Sequence, residues 1–262
     1  MIPSALTIAG SDPSGGAGIQ ADLKTFSALK VYGMSVIAAL TAQNTTGVQG
    51  VLEVAATFVS SQLDSVLSDI LPGAVKTGML ASASVIEAVA AKITEFGIAK
   101  LVVDPVMIST SGSALLAGDA IAVLRRKLLP LALIVTPNLA EAETLSGQKI
   151  TSPDDMEEAA LRIHGFGPRY VYLKGGHLAG APVDVLFDGN EFMRLEGERV
   201  ETRDSHGTGC VLSAAMAAYL ARGESVAEAV RLAKEFVTAA IRNGLRLGQG
   251  PGPCDPLGIR QH

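Results

Sequence analysis

The chain has 262 residues, 48% of them hydrophobic, with 21 lysines and arginines against 26 aspartates and glutamates, a formal charge of −5. That apolar content excludes an intrinsically disordered chain, and mild acidity without a long run of either sign excludes nucleic acid or an anionic membrane as the main partner. Two cysteines, Cys210 and Cys254, make no zinc spacing or disulfide framework, no secretory signal is apparent, and no apolar run approaches the ~20 residues that span a bilayer, so a cytoplasmic protein is expected.

The predicted elements alternate from the start. Residues 4–10 read as a buried strand, and 18–33 as a helix with Ile19, Leu23, Phe26 and Leu29 on one face. A strand over 34–43, a helix over 55–70 and a strand over 73–78 follow, then a helix over 83–97 closed by its terminal glycine. Next come a strand (100–106), a helix (118–129), a strand (132–138), two helices (138–147 and 154–167) and a strand (170–176). Residues 183–197 differ: Asp188-Gly189-Asn190 joins two alternating runs as a hairpin. Two helices close the chain, one from about Gly209 and one over 225–245.

This order predicts an α/β fold, a mostly parallel central sheet with helices on both faces, in one domain over residues 1–262. Ligands of such sheets bind past the carboxyl ends of the strands. Function is therefore expected in residues 10–18, 43–44, 76–79, 104–107, 136–141 and 174–177, where polar residues and glycines cluster.

Several of these stretches admit two readings. GSDPSGGAGIQAD contains G-x-G-x-x-A at Gly16, Gly18 and Ala21, but no acid stands between Lys24 and Gly50 to hold a dinucleotide ribose. No P-loop pattern occurs. The stretch also suits a glycine-rich turn capped by Asp12. Asp104 ends a strand, and Asn138 and Glu141 share a helix face at i and i+3. Such oxygens suit Mg²⁺, while Asn138 and Glu141 equally suit a capping box. Lys174, before two glycines, suits a phosphate contact or a surface position before a turn; His177 and His206 receive no ligand role. In DSHGTGCVLSAAMAAYL, Gly207, Thr208 and Gly209 offer N–H groups at a helix start, where the dipole favours an anion. A thiol there is expected to have a lowered pKa, making Cys210 a candidate base. An inert buried cysteine is the other reading.

Taken in order, the segment from ALTIAGSDPSGG to TAQNT, then KTGML, DPVM, TPNLAEAE, LKGGH and SHGTGC give the chain its resemblance to bacterial hydroxymethylpyrimidine/phosphomethylpyrimidine kinases of thiamine biosynthesis. These belong to the ribokinase-like superfamily, and the resemblance runs over essentially the whole length. It implies a three-layer αβα sandwich and ATP- and Mg²⁺-dependent phosphorylation of 4-amino-5-hydroxymethyl-2-methylpyrimidine and then of its monophosphate. By the same resemblance, Gly10, Asp22, Gln43, Met79 and Val106 surround the pyrimidine, with the Gln43 amide able to donate and accept. Lys174 meets the phosphates, Asn138 and Thr208 meet ATP, and Asp104 and Glu141 hold Mg²⁺ through water. The Gly207–Gly209 amides form an anion hole. Cys210 lies nearest the acceptor hydroxyl, where many superfamily relatives carry Asp as the base. A homodimer, with the Asp188–Asn190 hairpin over part of the nucleotide site, is also implied. A pyridoxal or pyridoxine kinase and a non-catalytic pyrimidine sensor are the alternatives. TAQNT and KTGML favour the pyrimidine, and the full set of Lys174, Asp104, Glu141 and Gly-Thr-Gly-Cys argues against the sensor.

Overall fold

The computed structural model describes residues 2–107, 116, 118–176, 178 and 182–258. Strand β1 (Ser4–Ser11) leads to α1 (Gly18–Ala28), β2 (Tyr32–Asn44), β3 (Gly47–Glu53), α2 (Ala56–Leu67), β4 (Ala74–Thr77), α3 (Ala83–Glu95) and β5 (Leu101–Val103). After α4 (Gly118–Val123) come β6 (Ile134–Val135), α5 (Leu139–Ser146), α6 (Pro153–His164), β7 (Tyr170–Leu173), β8 (Val183–Phe187), β9 (Phe192–Glu196), α7 (Thr208–Ala221) and α8 (Val226–Arg242).

These strands form one sheet in the order β3-β2-β1-β4-β5-β6-β7-β8-β9. The interior pairs are parallel; β3, β8 and β9 pair antiparallel at the two margins. Alternation along each strand splits the core in two. Leu6, Ile8, Val75, Leu101, Val103, Val135, Val171 and Leu173 face α2–α6, while Ala5, Ala74, Val102, Ile134 and Tyr172 face α1, α7 and α8. Burial on both faces is why the central strands read as continuous apolar runs. The result is the expected three-layer sandwich. The chain leaves β1 for β2 on one side and returns to β4 on the other, so a topological switch lies beside β1. Among the described residues, no helix is long and apolar enough to cross a membrane.

Several elements differ from expectation for local reasons. Helix α1 stops at Ala28 rather than 33: Lys30 takes φ 59°, and Tyr32 N–H already pairs with Pro3 C=O as β2 begins. Strand β3 had no sequence signal, since its residues are half-buried or exposed at an edge. Helix α4 is followed by a π-turn over Leu124–Leu128 and a 3₁₀ turn over Leu129–Leu131. Pairing of β5 ends at Val103, two residues before Pro105. The Asp188–Asn190 turn forms as expected but not where expected. In the antiparallel register of β8 on β7, Val171 faces Phe187, so the turn sits at the amino ends of the parallel strands. There Gly189 lies against His164, and only the open end of the hairpin, at Pro182 and Gly197, borders the cavity.

Candidate active site

The strand ends enclose a cavity of about 780 Å³, lined by Gly10, Gln43, Met79, Val106, Asp104, Asn138, Glu141, Lys174 and residues 207–210. One space thus collects almost every residue that the sequence singled out. His177 lies outside the described residues.

At one end, Met79 packs over Gly10, where a Cβ would lie 3.3 Å from the Met79 sulfur. Gln43 is the penultimate residue of β2, its Oε1 3.2 Å from the Thr41 hydroxyl, which donates to Ser11 C=O at 2.8 Å. Gly18 is held at φ +57°, where a Cβ would come 2.4 Å from Gly10 C=O, so the loop closes only with glycine here. That close approach explains the G-x-G-x-x-A pattern without a dinucleotide.

Asp22 departs from expectation. It does not line the cavity; it is fully buried beneath it, 2.8 Å from Lys76 Nζ and accepting from the Thr7 hydroxyl at 2.6 Å. Lys76 is the residue of this pair that reaches the cavity wall. Burial disfavours its ammonium, but the Asp22 carboxylate more than offsets this, so Lys76 stays charged.

At the other end, Lys174 Nζ lies 3.1 Å from Asp104 Oδ1, and Ser213 Oγ donates to Asp104 Oδ2 at 3.1 Å. The backbone holds Lys174 on both sides: its N–H donates to Pro137 C=O, and the next N–H, of Gly175, donates to Asp184 Oδ1 at 2.8 Å. Asp184 also accepts from Tyr172 and from Lys234 Nζ. Sequence reasoning missed Asp184, although a lone acid inside the apolar run VDVLF was the available sign.

Asn138 and Glu141 do form the capping box: Asn138 Oδ1 accepts from Glu141 N–H at 2.9 Å and Glu141 Oε2 from Asn138 N–H at 2.8 Å. Both also line the cavity, so the two readings coexist. Burial pushes the Glu141 carboxyl up to about 7, opposed by Lys174 and reinforced by the Asp104 carboxylate. Asn138→Ala is expected to cost about 1 kcal/mol of stability through the lost cap. Thermal unfolding of the variant beside the parent protein checks this.

Asp104 and Glu141 are both buried at the cavity wall and repel each other; two such carboxylates are a donor set that fits a hard divalent cation. Among the described residues no group of three or more His, Cys, Asp or Glu could enclose a metal. Mg²⁺ usually takes one or two carboxylates and completes its shell with water and phosphate oxygens.

Gly207 caps α7 at φ +80°, and Thr208 and Gly209 line the cavity, with the Thr208 N–H making a long 3.4 Å bond to Ser205 C=O. A Cβ on Gly209 would lie 3.5 Å from Lys174 Nζ and 3.8 Å from Asp104 Oδ2, which places this helix start directly against the lysine. Cys210, half-buried, follows in the first turn. Its thiol is not lowered as expected. Burial pushes it up to about 11, and the Asp22 and Asp104 carboxylates oppose the lowering by Lys76 and the Gly18 N–H. The helix dipole is a weaker influence than this desolvation.

Comparison with known proteins is consistent with this arrangement. A profile of the phosphomethylpyrimidine kinase family matches residues 12–255. The hydroxymethylpyrimidine/phosphomethylpyrimidine kinase of Rhizobium meliloti is 54% identical over 257 residues, 97% of this chain and 96% of that protein. The thiamine biosynthesis bifunctional protein ThiED of Geobacter sulfurreducens is 53% identical over 255 residues; the match covers 97% of this chain but about half, 52%, of that longer protein. Among solved structures, the pyridoxal kinase from Staphylococcus aureus in complex with AMP-PCP is similar with a TM-score of 0.92 at 38% identity, covering 100% of this chain and 96% of that one.

Proposed function

The chain belongs to the phosphomethylpyrimidine kinase family, and from that premise we propose that it phosphorylates 4-amino-5-hydroxymethyl-2-methylpyrimidine with ATP and then phosphorylates the monophosphate, in thiamine biosynthesis. The observation that carries this reading is the division of one cavity into two ends. We assign Gly10, Gln43, Met79 and Val106 to an uncharged acceptor seat and Lys174 with Gly207–Gly209 to the phosphates; all of them, and Cys210, line the one cavity.

In the first reaction the acceptor hydroxyl loses its proton and its oxygen bonds to the γ-phosphorus of ATP. The bond to the β,γ-bridging oxygen breaks, and ADP leaves. Charge on the transferred group spreads over its outer oxygens, so catalysis is mainly placement and electrostatics. Lys174 supplies a fixed cation and the Gly207–Gly209 amides supply donors with the positive end of the α7 dipole. Asn138 and Thr208 contact ATP. Asp104 and Glu141 would hold Mg²⁺, which when bound neutralises phosphate charge. Cys210 stands nearest the acceptor oxygen. In the second reaction the acceptor is the monophosphate, and Lys174 bridges its phosphate and those of ATP.

Exposed Leu40 and Leu52, paired across β2 and β3, support a homodimer through this margin. Two unpaired cysteines suit a cytoplasmic setting. The test is ADP release with Mg-ATP and three acceptors in separate assays: the pyrimidine alcohol, its monophosphate, and pyridoxal. Turnover with the first two is expected. Turnover with pyridoxal alone would replace the substrate and the role of Gln43, and ligand binding without phosphoryl transfer would make the protein a sensor.

A further inference from the structure

Two loops from opposite ends of the chain meet at the middle of the cavity, and one buried side-chain pair joins them. Asp12 follows β1. Its Oδ1 accepts from the Ser14 N–H and hydroxyl at 2.9 and 2.7 Å, and its Oδ2 accepts from Ala17 N–H at 2.9 Å. The same Oδ2 lies 2.9 Å from Nε2 of His206, 194 residues away. Burial alone would raise the Asp12 carboxyl, but the bonds from His206 and Ser14 hold it down at about 2. An ionised carboxylate can only accept, so His206 Nε2 carries the proton.

His206 is fixed from behind as well. Its N–H donates to Gly252 C=O at 3.0 Å, and its C=O accepts from Cys254 N–H at 3.3 Å. Asp12 and His206 are 2% and 6% exposed, so neither bond competes with bulk water. The loops touch closely enough to exclude a methyl group at either contact. A Cβ on Gly16 would lie 2.3 Å from His206 Cδ2, and one on Gly207 would lie 1.8 Å from Gly16 C=O. The Asp12 loop runs from Gly10 of the acceptor seat to Gly18, and His206 immediately precedes the amides of the phosphate end.

We propose that Asp12 and His206 are a positioning pair that fixes the distance between the acceptor seat beside Gly10 and the phosphate cradle at Gly207–Gly209, so that the phosphoryl group meets the acceptor in preference to water. This rests on the kinase reading above. Transfer needs the reacting atoms within about 3–3.5 Å, and a misplacement near 1 Å costs on the order of 10²-fold.

The test measures ADP and phosphorylated acceptor separately, with ADP affinity by calorimetry. His206→Leu is expected to lower kcat for acceptor phosphorylation about 10²-fold while leaving the Kd for ADP within about threefold. The ratio of ADP formed to acceptor phosphorylated should rise above unity, because water then takes the phosphoryl group. His206→Gln, whose amide N–H can reach Asp12, should recover most of the loss and restore the ratio. Unchanged kcat and ratio in His206→Leu, or a loss that only follows the folded fraction, would overturn the proposal. If His206→Leu does not fold, ¹⁵N-histidine spectra of the wild-type protein decide. A slowly exchanging Nε2 proton at neutral pH that is altered in Asp12→Asn supports the pair; an unprotonated Nε2 overturns it. If the wild-type protein phosphorylates neither pyrimidine, the kinase reading fails, while the spectra still decide whether the pair exists.

Discussion

Replacing Lys76 with methionine is expected to destabilise the protein by about 3–5 kcal/mol, the cost of leaving one partner of a buried ion pair alone. Lys76 and Asp22 are both fully inaccessible, and Lys76 Nζ lies 3.0 and 2.8 Å from the two Asp22 oxygens. Methionine keeps the length of the side chain, so the loss reports the stranded Asp22 carboxylate rather than a cavity. Chemical denaturation at neutral pH measures it. The double replacement Lys76→Met with Asp22→Leu should recover much of the loss, since neither charge then remains. A loss below about 1 kcal/mol would mean that water or another donor reaches Asp22, and would put the pair in the class of exposed bridges. Arg231 belongs to that class. It bonds Glu228 and Glu235 at 2.5 Å but is half exposed, and its replacement should move stability by less than about 1 kcal/mol.

The same pair marks where sequence reading reaches its limit. The strand–helix alternation, the strand-end rule and the polar-plus-glycine clusters were enough to place Gly10, Gln43, Met79, Asp104, Glu141, Lys174 and residues 207–210 around one cavity, because each follows from local pattern and chain order. The family resemblance points to Asp22 as a cavity residue too. One helical turn past Gly18, however, its side chain points under the sheet toward β4, and only the register of β1 on β4 shows that Lys76 meets it there. Distance along the chain hides such partners, as it hides Asp12 and His206. The Asp188–Asn190 turn was legible as a turn, but which end of the sheet it occupied depended on the antiparallel sense of β8. Strand β3 lacked the inward face that produces alternation. For Cys210 the helix start was visible and the burial of the thiol was not, so the direction of its shift came out opposite to expectation.

A thiol held at about 11 is almost wholly protonated at neutral pH, on the order of one thiolate in 10³–10⁴ molecules. Cys210 therefore does not wait as a thiolate; any proton it takes from the acceptor moves only as the oxygen–phosphorus bond forms. Cys210→Ala is expected to lower kcat by roughly 10²–10⁴-fold, the usual range for a positioned proton acceptor. The acceptor KM should change little, because the proposed seat at Gly10, Gln43, Met79 and Val106 is untouched. Iodoacetamide offers an independent measure of the thiol. Alkylation at Cys210 should be slow at neutral pH and climb about tenfold per pH unit toward 11, with buried Cys254 as the internal comparison. A plateau before pH 9 would show that Lys76 and the α7 dipole outweigh burial. Lys76→Met should then abolish that plateau, since it removes the cation that favours the thiolate. A Cys210→Ala enzyme with nearly full turnover would leave the thiol as a packing residue in the first turn of α7, with Lys174 and the Gly207–Gly209 amides carrying the transfer and the proton leaving directly to water or phosphate.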